Sequence, residues 1–146
     1  MATVDFHCKS SRDRSQTLCG KAFLNEDEDG KTHIHLNLIV PNLPAGPHGF
    51  HVHSSGSMVD GCTSMKEHYG SESDLHPNHT GDLGNVFSDS NGHILTDLTL
   101  NAPLSDIIGR GLVLHYGEDD RGMGGTEESL RSGNAGERIA CGAIVL

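Results

Sequence analysis

An all-β sandwich or barrel is the fold class this sequence predicts, on three observations. Two stretches, "THIHLNLIV" and "GHILTDLTL", alternate apolar with polar residues at a period of two. Turn dipeptides, Asp29-Gly30 and Asn91-Gly92, sit beside them. Nowhere does an apolar stripe recur at helical spacing for three turns. Short strands bounded by polar turns build sandwiches and barrels.

In chain order, "NEDEDGK" places Asp29-Gly30 at a hairpin tip. "THIHLNLIV" follows, with Ile34, Leu36, Leu38 and Val40 on one face and His33, His35 and Asn37 on the other, as in a half-buried antiparallel strand. "GFHVH" is a short strand whose His51 and His53 share a face, because side chains alternate. Asn91-Gly92 in "NVFSDSNGH" marks another hairpin turn, and Ile94, Thr96, Leu98 and Leu100 resume the alternation. "RGLVLHY" and "IACGAIVL" are further short strands. Residues 54–85 and 117–137 break the pattern, being rich in Gly, Ser and Asp. Loops of that length mark function, and something other than a core must order them.

The 146 residues suit one domain, spanning 1–146. With 34% hydrophobic residues and 19 glycines, the chain has a modest core and many loops. A formal net charge of −10 disfavours nucleic acid and anionic membranes as partners. No apolar run approaches the roughly 20 residues of a membrane-spanning helix. The opening "MATVDFHCKSSRDRS" lacks the apolar segment of a secretion signal. A cytoplasmic protein is therefore expected, with a mature secreted form stripped of its leader as the alternative. Four cysteines allow three pairings if all are bridged. For Cys8 and Cys19 the expectation is buried or free thiols.

Eleven histidines are the anomaly of the composition. Beyond His51 and His53, "GCTSMKEHYGSESDLHPNHTGDLGNV" supplies His68, His76, His79 and Asp82, and "LVLHYG" supplies His115. Imidazole and carboxylate donors suit zinc or copper. The groups divide into two sets. His51, His53 and His115 stand on strands, as a rigid wall; His76, His79 and Asp82 crowd one loop, with His68 between the sets. A polar turn capped by Asp82 explains "HPNHTGD" alone, and surface alternation explains "HVH" alone. Neither explains all of them together.

"GFHVH", "GCTS" with His68 beyond it, "HTGDLGNV", "LVLHYGEDDRGMGG", "EES" and "GNAGERIACG" resemble, in that order, the motifs of the Cu,Zn superoxide dismutase family. The likeness is to its intracellular eukaryotic-like type and runs from about Gly20 to the C-terminus. It implies a flattened eight-stranded Greek-key barrel with two long functional loops and the site on its outer wall. It also implies conversion of superoxide to dioxygen and hydrogen peroxide by one-electron cycling of copper, with zinc structural.

By the same resemblance His51, His53, His68 and His115 are copper ligands, and His68, His76, His79 and Asp82 are zinc ligands. His68 then bridges the metals and relays a proton. Asp119 matches an aspartate linking a copper and a zinc histidine, and His48 a buried histidine behind the copper site. Arg138 guides the anion, while Glu127, Glu128 and Arg131 shape the field at the channel rim. Cys62 is expected to pair with Cys141. The implied partners are superoxide, a copper chaperone and a second copy of the chain, docked through the N-terminal strand and "GAIVL".

One departure stands out: "HPNH" sets His76 and His79 closer than the vertebrate cytosolic form does, so a compact turn must deliver both imidazoles. A non-catalytic copper-handling domain and a copper-only dismutase with a degenerate zinc site are the competing readings. Arg138 and the charged loop favour the enzyme; His79 and Asp82 favour zinc.

Overall fold

The alternation of "THIHLNLI" becomes strand β3 (Thr32–Ile39), where Thr32, Ile34, Leu36 and Leu38 are buried and the residues between them exposed. In this computed structural model, which describes residues 1–9, 16–71 and 74–146, the other strands are β1 (Ala2–Lys9), β2 (Gln16–Glu26), β4 (Gly46–His53), β5 (Val59–Cys62), β6 (Asp82–Ser88), β7 (His93–Leu100), β8 (Gly111–His115) and β9 (Arg138–Ala143). The helices are short, α1 (Leu104–Ile107), α2 (Glu127–Ser132) and a 3-10 turn at Thr63–Met65. Residues 10–15 of the N-terminal segment, and 72–73 of the first long loop, lie outside the described residues.

Eight strands pair antiparallel in the order β6-β4-β8-β9-β1-β2-β3-β7, forming a nearly closed barrel. Inward residues from both halves make one core, with Phe6, Leu24, Ile34, Leu36, Phe50, Ile94 and Leu114 fully buried. Each such side chain contributes about 1.5–3 kcal/mol of transfer free energy. Among the described residues no helix is long and apolar enough to cross a membrane.

Asp29-Gly30 is the β2–β3 hairpin tip, as expected. Asp27 Oδ1 accepts from the Asp29 and Lys31 amides at 2.9 and 3.0 Å. Asn91-Gly92 does form a turn, but its strands are not ladder partners. β6 pairs with β4 and β7 with β3, at opposite ends of the sheet order, so this turn carries the chain across the barrel seam. Gly92 has φ +76°, and a Cβ there would lie 2.1 Å from the Val40 carbonyl oxygen.

The reading of Cys8 and Cys19 as free or buried thiols is corrected: they form a disulfide with Cα atoms 5.8 Å apart. The cause is register. Phe6 pairs with Gly20 but His7 with Leu18, which leaves Cys19 as the extra residue of a bulge beside Cys8. Cys62 and Cys141 are bridged as the resemblance implied.

The two long stretches are ordered against the barrel and each other. The first contains β5, the 3-10 turn and the start of β6. It runs along the end of β4 through Ser54 N to Glu67 O (2.8 Å), Tyr69 N to Val52 O (2.7 Å) and Val52 N to Gly81 O (2.9 Å). His76 N donates to Leu130 O at 2.7 Å, tying the first loop to the second.

Candidate metal centre

β4 sets the geometry. Alternation sends His48, Phe50 and Val52 into the barrel and His51 and His53 outward, yet everything from His48 to His53 is buried. The long loops cover the outer wall. On β8, Val113 lies opposite His51, so His115, two residues on, shares that wall. An isolated bridge between His53 and His68 brings in the first loop.

The His68 ring is the hub. Its centroid lies 4.0 Å from His51, 4.8 Å from His53, 5.2 Å from His76, 5.6 Å from His79 and 6.2 Å from His115. Around it the donor atoms fall into two groups. In the first, His53 Nδ1 donates to Lys66 O (2.7 Å) and His115 Nδ1 to Gly136 O (3.0 Å). Neutral rings in that tautomer turn bare lone pairs at Nε2 toward each other, 3.3 Å apart. His51 Nδ1 and His68 Nε2 are buried with no partner at all. Four imidazole nitrogens within 4.8 Å of one another, lacking protons to share, call for a cation.

The second group surrounds Asp82. Its Oδ1 lies 2.8 Å from His68 Nδ1, and its Oδ2 lies 2.9 Å from His79 Nδ1 and 3.0 Å from His76 Nδ1. That last pair is close but not aligned for a hydrogen bond, leaving His76 Nδ1 a buried orphan. Three imidazoles and a carboxylate are a donor set that suits tetrahedral zinc. The compact turn, closed by Asn78 N to Leu75 O (2.7 Å), delivers both His76 and His79 to Asp82.

Asp119 joins the groups, with Oδ2 on His51 Nε2 and Oδ1 on His76 Nε2, both at 2.6 Å. Each contact leaves that ring's Nδ1 for a metal. Asn85 grips the Asp119 backbone twice, at 2.7 and 3.0 Å. Sequence reasoning did not single out Asn85, nor the Lys66 and Gly136 carbonyls; only "GNV" within a motif hinted at the first.

Burial pushes His51 down to about 4, opposed by Asp119, and His115 down to about 3. Burial and the neighbouring His68 lower His53 further. These rings stay neutral and open to metal. Burial also opposes charge on His76, but the hydrogen bond to Asp119 and the close Asp82 carboxylate outweigh it and raise the ring to about 9. Against burial, the hydrogen bond from His68 and the close His76 ring hold Asp82 below the usual carboxylate range, and hydrogen bonds from His51 and His76 do the same for Asp119.

Arg138 faces His115 across the β8–β9 ladder, and its Nη1 donates to the Cys62 carbonyl at 3.0 Å. The Cys62–Cys141 bridge thus anchors the guanidinium beside the first group. α2 opens on Thr126, which caps Ser129 N at 3.1 Å, and closes on left-handed Gly133. Glu127 and Glu128 occupy its first turn, and Arg131, 3.5 Å from Glu128, its last. Glu127 and Arg131 line a cleft of about 680 Å³ together with Lys66, Glu67 and His68. His48 stands apart from the ring cluster. It reaches the centre through the Tyr116 carbonyl (2.6 Å), next to His115, and is held by Ser88 and Pro44.

Residues 18–144 match the family described as copper/zinc superoxide dismutase. The chain is 40% identical over 132 residues to the Cu-Zn superoxide dismutase of Schizosaccharomyces pombe, covering 84% of this chain and 85% of that one. It is 41% identical over 133 residues to the Neurospora crassa enzyme of the same name, with the same coverage. With the extracellular Cu-Zn superoxide dismutase of Drosophila melanogaster it shares 40% over 136 residues, 86% of this chain and 74% of the relative. The crystal structure of the clock protein EA4 superposes with a TM-score of 0.82 at 36% identity, over 99% of this chain and 93% of that one.

Proposed function

The chain belongs to the copper/zinc superoxide dismutase family, and from that membership we propose how its residues divide the work. It is a superoxide dismutase that uses copper and zinc, with superoxide as substrate. His51 Nδ1 and the Nε2 atoms of His53, His68 and His115 would hold copper. His68 Nδ1, His76 Nδ1, His79 Nδ1 and Asp82 would hold zinc. Copper, when bound, supplies the one-electron oxidation and reduction that zinc lacks.

The observation that carries this assignment is the set of facing or partnerless ring nitrogens around His68. His68 Nε2, buried where the two groups meet, is the atom that holds and hands on a proton. Arg138 binds the anion through guanidinium N–H groups not spent on the Cys62 carbonyl. Glu127, Glu128 and Arg131, on α2, shape the field through which the anion approaches. Asp119 and His48 orient the rings, the role that outer hydrogen bonds have in metal sites.

Metal content and superoxide decay, measured on the same purified protein, test the whole reading. About one copper and one zinc per chain with fast decay supports it. Bound metal without faster decay means a copper-handling domain, and copper without zinc means a copper-only enzyme. Arg138→Gln is expected to keep both metals and slow decay about 10-fold or more at low ionic strength.

One domain over 1–146, a homodimer and delivery of copper by a chaperone complete the proposal. The dimer would use β1 and the C-terminal segment, which pair through Thr3 and Val145 and end in exposed Val145 and Leu146. Sedimentation of Val145→Asp, expected to be monomeric, tests it. For location, a cytoplasmic protein competes with one in an oxidising compartment. The Cys8–Cys19 disulfide favours the second, because cytosolic thiols are kept reduced. Alkylation of thiols in the native source before lysis decides: label on Cys8 and Cys19 means cytoplasm, protection means an oxidising compartment.

A further inference from the structure

A second His-x-His pair stands on a strand far from the metal centre. His33 and His35 point outward from β3, between buried Thr32, Ile34 and Leu36, with the spacing that His51 and His53 have on β4. They belong to the half of the barrel made by β1, β2, β3 and β7, whereas His51, His53 and His115 belong to the half made by β4, β6, β8 and β9. On β7, Asp97 lies directly opposite His35 and Thr99 opposite His33.

Each ring already has its own carboxylate. Asp97 Oδ1 lies 2.7 Å from His35 Nδ1, and Asp27 Oδ2, from the hairpin tip, lies 2.6 Å from His33 Nε2. Thr99 Oγ1 sits 3.2 Å from His33 Nδ1. The two imidazoles are about half exposed, at 53% and 52%, so a dissolved ion reaches both, and each ring takes it by giving up one of these hydrogen bonds. Same-face neighbours on a strand stand about 7 Å apart at Cα, near enough for two imidazoles to close on one ion. Two imidazoles plus a carboxylate suit a borderline divalent ion. The net charge of −10 adds a long-range pull on cations.

We propose that His33, His35 and Asp97 form an additional, exchangeable site for a divalent transition metal, Cu(II) or Zn(II), on the outer face of the barrel, with Asp27 orienting His33. This site is independent of the copper and zinc of the enzyme. On binding, His35 exchanges its hydrogen bond with Asp97 for a shared ion, and the β3–β7 ladder supplies a rigid base.

The test starts from protein replete in copper and zinc, titrated with Cu(II) and followed by equilibrium dialysis and electron paramagnetic resonance. One further Cu(II) per chain is expected, with a spectrum distinct from the resident copper. Loss of a ligand in His33→Gln or His35→Gln should weaken the uptake at least ~10-fold. His93→Gln serves as control: its ring shares the outer face but bonds Asn37 at 2.9 Å and has no imidazole at chelating distance on its own strand. All three substitutions are on the exposed face, and resident copper signal and circular dichroism verify folding. The proposal is overturned if no further ion is retained, if the double variant His33→Gln/His35→Gln retains it, or if His93→Gln weakens it equally.

Discussion

Asp119 gives one oxygen to each of two imidazoles, and Gly133 is what lets it in. The Gly133 backbone is left-handed at φ +76°, and a Cβ there would lie 2.1 Å from Asp119 Oδ1 and 2.4 Å from His76 Nε2. Gly133→Ala is expected to cost more than the about 1–2 kcal/mol of a left-handed alanine and to loosen both metals. Gly30→Ala, at the same φ with nothing within 4 Å of the new Cβ, is expected to cost the backbone part alone. Denaturant unfolding and metal analysis of the two variants side by side measure the difference.

The same residues set the pH response of the metal-free protein. His51 and His115 have folded pKa values pushed down to about 4 and about 3, and Asp82 and Asp119 are also lowered. For all four the unfolded state takes up protons first: the contributions of His51 and His115 are complete above about pH 6.5 and are lost as pH falls toward 3–4, whereas those of Asp82 and Asp119 are complete above about pH 4 and are lost only below it. His76, raised to about 9, has the opposite sign: its contribution is complete below about pH 6.5 and is lost as pH rises through 9. Thermal unfolding of metal-free protein should therefore be most resistant near neutrality. A melting temperature still climbing from pH 7 to pH 9 would contradict this.

At the scale of elements, the two disulfides do different jobs. Cys8–Cys19 joins neighbouring strands across a sequence separation of 11, whereas Cys62–Cys141 spans 79 and ties the first long loop to β9. Chain entropy puts the first near ~3 kcal/mol and the second near ~4.5 kcal/mol. Replacing Cys8 and Cys19 by Ser is expected to lower stability while leaving superoxide decay intact, because neither touches the centre. Replacing Cys62 and Cys141 should cost more and also slow decay, because the Cys62 carbonyl that holds Arg138 moves. Calorimetry and decay kinetics on both double variants check the contrast.

Over the whole molecule, the histidine groups are the fastening between a β barrel and two loops that bring little apolar residue of their own. Buried donors without partners destabilise the metal-free state, and ions that bind only the folded chain stabilise it, each by about 4 kcal/mol at a thousandfold excess over its Kd. Chelation is thus expected to lower the melting temperature. It should raise amide hydrogen exchange in 54–81 and 117–137 while β2, β3 and β7 stay protected. Exchange rising uniformly over the barrel would show that the metals hold the core rather than the loops.

The chemistry of this protein is local and was written in the sequence. Period-two alternation marks β3 and β7 because burial of one sheet face imposes it, and His51, His53, His68, His115, His76, His79 and Asp82 declare themselves by donor type and spacing. Which atoms meet is a matter of register and loop closure, and that is decided in space. A one-residue bulge brings Cys19 to Cys8, and the Asn91-Gly92 turn bridges the seam instead of making a hairpin ladder. Asn85, Gly133 and the carbonyls of Lys66 and Gly136 orient the donors from distant parts of the chain. Alternation and residue type act over a few neighbours, whereas pairing depends on the whole sheet closing at once; only the folded barrel shows which nitrogens are left without a proton to share.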